Sequence, residues 1–109
     1  VSSAEPRPGE KRIMQEDCAE DRLSNGILTL TNQRIIFEKT EGNIATLSKK
    51  TGEVLLDISF DKISSVKKEG FIISKLIIVL DDREYKFSVF NNGKWVKAIE
   101  DQITSNKVN

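Results

Sequence analysis

The sequence predicts a mainly β fold: about seven antiparallel strands in a partly open barrel or sandwich, capped by one C-terminal α-helix. Three observations predict it. Short apolar runs separated by turn signals fill the chain from Lys11 to Val89. The apolar period changes from two to that of a helix only once, after Asn91. One helix of about three turns cannot cover both faces of such a sheet, so the sheet must curl and the helix must plug an open end.

The elements follow in order. The chain has 109 residues, enough for one domain. Residues 1–9 are polar and carry both prolines, which predicts a flexible lead-in; residues 10–103 form the domain, and 104–109 a polar tail. Residues 11–18 alternate weakly, as a first strand. Asn25-Gly26 is a turn signal, and residues 27–31 and 34–39 on either side of Asn32-Gln33 predict a tight hairpin. Leu28 and Leu30 share one face, as do Ile35 and Phe37. Gly26 suits a positive φ at the strand entry, and Thr29 and Thr31 suit exposed or half-exposed positions. Residues 42–52 predict a polar connection. Val54, Leu56, Ile58 and Phe60 then alternate as a half-buried strand, and 63–68 form another. Leu76 to Leu80 is apolar on both faces, so that strand is covered on both. Asp81-Asp82-Arg83 turns it into Tyr85, Phe87 and Val89. Asn91 or Asn92 caps a helix whose Trp95, Ile99 and Ile103 make one apolar stripe, with Lys97 and Asp101 placed to pair.

Composition removes whole classes of function. Seventeen basic and seventeen acidic residues give zero formal charge, which argues against duplex nucleic acid, where affinity comes from neutralising phosphates. There is no histidine and one cysteine, Cys18. Histidine triads, histidine-ligated metals, thiolate clusters and internal disulfides are therefore excluded. No phosphate-cradling glycine loop occurs. Asp81-Asp82 suits a turn and Glu100-Asp101 a solvated helix face, so neither is an acid–base pair. No enzyme activity and no cofactor is expected. The lone cysteine fits a reducing, cytoplasmic setting.

The stretch Gly26-Ile-Leu-Thr-Leu-Thr-Asn-Gln-Arg-Ile-Ile-Phe37 resembles the hairpin of GRAM domains, a PH-like family, and is similar to that of the PH-like GLUE domains of the endosomal sorting machinery. Gly9-Glu10 resembles the short lead-in of that family, and Trp95 falls where PH-like domains carry a core tryptophan. The resemblance spans residues 9–103. It implies the PH-like seven-stranded barrel with its C-terminal helix, and a binding role. Lipid-binding members carry clustered lysine and arginine around the first hairpin loop, whereas the loop here, residues 17–22, is net acidic.

The candidate site residues lie elsewhere. Lys49-Lys50 and Lys67-Lys68, together with Lys39, Arg34 and Lys75, are the candidate contacts for an anionic membrane surface. Arg34 also suits a purely structural role, its donors meeting a carboxylate or carbonyls. Phe71, Ile72 and Ile73 fall in a loop, either folded onto the core or exposed for a protein partner, a second copy or a membrane. The expected function is a non-catalytic adaptor module for protein–protein interaction within a larger protein or complex. Weak binding to anionic phospholipid and GLUE-like ubiquitin binding are the alternatives.

Overall fold

Alternation sets the first half of the molecule. β1 (Arg12–Glu20), β2 (Ser24–Thr31), β3 (Arg34–Asn43) and β4 (Thr46–Ser59) form a meander in which each strand pairs antiparallel with the next. Leu28 lies opposite Phe37 and Leu30 opposite Ile35, and all four are fully buried. This is the face that period-two patterning assigns to the core. The computed structural model describes the backbone of residues 4–43 and 46–107, and the side chains of these residues outside 41–51.

A 3₁₀ turn (Phe60–Lys62) then reverses the chain into β5 (Ile63–Glu69), β6 (Lys75–Leu80) and β7 (Glu84–Phe87). The strand order is β4-β3-β2-β1-β7-β6-β5, so β4 and β5 are the two edges. β1 pairs with β7 at Glu20 and Phe87, flanked by backbone hydrogen bonds from the Ser88 N–H to the Ala19 carbonyl and from the Asp21 N–H to the Lys86 carbonyl. α1 (Asn92–Lys107) packs against β5, β6 and the 3₁₀ turn, with Trp95 and Ile99 fully buried. Phe37 and Phe87, one from each half, meet edge to face with ring centroids 5.2 Å apart. The core therefore spans both halves, and the helix fills the open side.

Several boundaries differ from the sequence expectation. Of the polar connection expected at 42–52, residues 42–43 and 46–52 are strand, the extended end of a β3–β4 hairpin with Thr40 opposite Lys50 and Glu41 opposite Lys49, and residues 44–45 lie outside the described residues. Residues of low apolar content are strand here because the partner strand supplies the hydrogen bonds. α1 continues through residues 104–107, expected to be tail. Asp17 to Glu20 is strand rather than loop, and the first turn is residues 21–23. Gly26 lies inside β2 and is not at positive φ; Ser24 is, with φ 66°. The need for glycine at 26 is steric: a Cβ there would sit 2.5 Å from the Phe37 ring and from the Glu38 carbonyl. Thr29 and Thr31 are buried rather than exposed or half-exposed: Thr29 Oγ1 accepts from the Gln15 amide and Thr31 Oγ1 donates to Glu10 Oε2.

Candidate docking end

The β5–β6 loop starts from Gly70, whose φ of 125° is open to glycine and strained for other residues. A Cβ there would lie 2.2 Å from the Ile73 carbonyl. The backbone thus turns tightly on itself and leaves Phe71, Ile72 and Ile73 pointing outward, with relative exposures of 103%, 93% and 76%. Of the two expectations for this segment, the exposed tip is the one observed.

The loop is fastened at its base. Asn92, at the start of α1, donates through Nδ2 to the Ser74 carbonyl at 3.0 Å and to Ser74 Oγ at 2.7 Å. The Asn92 Oδ1 atom is buried with no hydrogen-bond partner among the described residues. Two residues earlier stands Phe90, 98% exposed. Its backbone N–H donates to Glu16 Oε2, and the Trp95 indole N–H donates to Glu16 Oε1 at 3.0 Å. Asn91 caps the helix, its Oδ1 accepting from the Lys94 N–H at 3.1 Å. A residue just before a cap often packs onto the fourth helical residue. Here that residue is Trp95, whose indole is buried and turned to Glu16, and Phe90 is left in solvent. Phe71, Ile72, Ile73 and Phe90 are four of the five large apolar side chains exposed among the described residues.

Phe90 was not anticipated from the sequence. Tyr85, Phe87 and Val89 alternate inward, so Phe90 reads as an outward strand position or a helix staple. The signal available was an aromatic directly before Asn91-Asn92-Gly93, at a point where the chain changes direction.

Charge surrounds the tip unevenly. Lys67 and Lys68 are exposed on β5, and Lys67 Nζ is 3.4 Å from Glu69. Lys75, on the other side of the loop, pairs with Asp21. Lys94 is exposed on the first turn of α1. At the far end of β6, the β1–β2 and β6–β7 turns enclose a hollow of about 440 Å³ lined by Glu20, Asp21, Asp82, Glu84, Arg22, Arg83 and Lys86. There carboxylates outnumber cations.

Arg34 does not join a lysine patch. It is 1% exposed, and its guanidinium is held from three directions. Nε and Nη2 donate to the two Glu10 oxygens at 2.9 and 3.0 Å, Nη1 to Asp57 Oδ2 at 3.0 Å, and Nη2 also to the Glu5 carbonyl at 3.0 Å. This is the structural role. The forked guanidinium matches the Glu10 carboxylate in bidentate fashion. Arg34 holds the Glu10 carboxyl down to about 2, against the opposing effect of burial. Gln33 and Asn32 donate to the carbonyls of Pro8 and Gly9. Residues 5–10 are thereby tied to the sheet.

The remaining basic candidates separate. Lys49 and Lys50 lie on the β4 edge of the strand order and Lys67 and Lys68 on the β5 edge; the side chains of Lys49 and Lys50 fall outside the described residues. Cys18 is buried, and burial, then the neighbouring Glu16 and Asp17, push its thiol up to about 12. No group of three or more potential metal ligands occurs among the described residues. No helix among them is long and apolar enough to cross a membrane.

No family model matches the chain, so the GRAM pattern of its hairpin stands as a resemblance. No curated protein matches it either. Among solved structures, the Vps36 N-terminal PH domain is similar to it with a TM-score of 0.68, over 95% of this chain and 86% of that one, at 20% sequence identity. That likeness shows the fold. The seven antiparallel strands and C-terminal helix are a PH-like fold.

Proposed function

We propose that this PH-like chain is a non-catalytic binding module, an adaptor that docks on a partner surface through Phe71, Ile72, Ile73 and Phe90. The observation that carries it is the near-complete exposure of these side chains on a loop that is itself fastened. Moving apolar side chains out of water on docking is favourable by roughly 1.5–3 kcal/mol for each one fully buried. Holding the loop by Asn92 and Gly70 reduces the entropy lost when they are covered. The missing histidine, the buried thiol and the ion-paired Arg34 favour a non-catalytic role. Cys18 also suits a reducing compartment such as the cytoplasm.

A photoreactive side chain tests the site without assuming the occupant. Placed at Ile72 and, separately, at Arg83, it is irradiated in an extract of the source cells that retains its membranes. Adducts to protein or lipid are expected from position 72 and not from 83. Equal labelling from both, or labelling from 83 alone, would reject the docking end.

A further inference from the structure

We infer that the occupant of the apolar end is a second copy of this chain, held tip to tip about a twofold axis through Phe71, Ile72, Ile73 and Phe90. The inference rests on the docking reading above. Area, charge and position each favour a second copy.

The end has two apolar ridges. One is the β5–β6 loop with Phe71, Ile72 and Ile73, and the other is the turn before α1 with Phe90. The Asn92–Ser74 hydrogen bonds join the ridges at their base, and Glu16 holds the second ridge through the Phe90 N–H. A twofold contact sets one patch against its own image, so that residue i meets j and j meets i. Two ridges over a joined base suit that rule, with the loop of each copy lying beside the Phe90 turn of the other. The area is sufficient. Exposed at 103%, 93%, 76% and 98%, the four side chains offer on the order of 600–700 Å² per copy. Two copies together therefore reach the lower end of the roughly 1,200–2,000 Å² buried in stable, specific interfaces.

An isologous contact also brings each charge toward its own image, so a strongly signed rim would push the copies apart. This rim is close to balanced. Lys67 pairs with Glu69, and Lys75 with Asp21. Lys68 and Lys94 are offset in part by the Glu16 carboxylate, which the Phe90 and Trp95 N–H groups hold at this end. The chain as a whole has zero formal charge, a condition that favours self-association.

The opposite pole carries the rest of the chain's fastenings. Asn106, in the last turn of α1, donates to the Asn32 carbonyl at 3.3 Å, and Asn32 Nδ2 donates to the Gly9 carbonyl at 3.1 Å. The lead-in and the end of α1 thus meet about 24 Å from the tip, the length of the 16-residue helix. Tip-to-tip contact leaves these segments of both copies on the outside of the pair, clear of the interface.

The experiment is sedimentation equilibrium of the full chain over a range of concentrations. The mass should rise from that of one chain toward that of two, with a dissociation constant on the order of 10 μM, the weak end of what such an area supports. Phe71→Ser with Ile73→Ser should weaken the dimer by about a hundredfold or more, because each lost apolar side chain is missing twice. Both sites are solvent-exposed, and unchanged circular dichroism confirms that the variant folds. Irradiating the purified chain with the photoreactive side chain at position 72 should give a covalent dimer whose adduct maps to residues 71–73 or 90, and at position 83 it should not. The inference is overturned by a single-chain mass up to millimolar concentration, by a dimer that survives the serine substitutions, or by adducts that map away from the tip. Adducts at position 72 in the extract to lipid or to a different protein, with the purified chain monomeric, would overturn the second copy and leave the docking end standing. No adducts in the extract and no dimer would remove both.

Discussion

At the scale of single residues, the buried Arg34 cluster carries the sharpest expectations. Arg34→Met leaves the buried Glu10 carboxylate without its cation and leaves Asp57 to Arg7, 3.4 Å away. It should cost about 3–5 kcal/mol in a urea melt followed through Trp95. The acid limb follows from Glu10. Its folded pKa is lowered from 4.5 to about 2, so its contribution to stability is complete above 4.5 and is lost as pH falls toward 2. The loss should approach about 3 kcal/mol. In Glu10→Gln the protein should start less stable, and the part of the acid dependence that falls in this window should shrink; an identical acid limb in both proteins would refute the assignment. The core residues Leu28, Leu30, Ile35 and Phe37 could be read from alternation because strand geometry alone decides which face they take. The partners of Arg34 could not. Glu10 and Asp57 stand 24 and 23 residues away along the chain, and nothing local to Arg34 points to them. The short Gly9-Glu10 lead-in of the family resemblance was the one available hint.

At the scale of elements, strand pairing overrides local composition. The β3–β4 hairpin extends through polar residues because each strand completes the hydrogen bonds of the other. The same closeness constrains Gly26. Gly26→Ala should cost roughly 1–3 kcal/mol, since the new methyl would meet a backbone carbonyl and an aromatic ring that are both buried. An Ala variant of wild-type stability would show that β2 and β3 separate more easily than the register implies. The Phe71 loop was visible in the sequence as an apolar run after glycine, but its exposure was not. Whether such a loop folds back depends on the fastening by Asn92 and on the conformation at Gly70, and both are properties of the assembled fold.

At the scale of the molecule, one helix closes a sheet that does not close itself. Trp95 and Ile99 fill the gap between the halves, so Trp95→Ala should cost about 3–5 kcal/mol and also leave Glu16 without its indole donor. A loss below 1 kcal/mol in a denaturant titration monitored by circular dichroism would mean that the sheet is stable without its plug. Cys18 lies in that same core. Its thiol is pushed up to about 12, so an aromatic disulfide reagent at neutral pH should modify the native protein only as fast as the chain opens, and much faster in denaturant. Rapid labelling of the native state would show that the first strand opens locally. The architecture as a whole was legible because seven short alternating runs and one change of period leave few arrangements. The candidate docking end was only half legible: three of its four apolar side chains are consecutive, and the fourth, Phe90, joins them only through the fold.

The fastening of the lead-in has a consequence for how the sequence can drift. Positions 10, 34 and 57 share one buried cluster, in which a change at Glu10 or Arg34 alone strands a buried ion while Asp57 has Arg7 as a second cation. Replacing all three with apolar residues of similar volume can be nearly neutral. Their effects are therefore strongly epistatic, and a lineage passes from one solution to the other through an unstable intermediate or by near-simultaneous substitution.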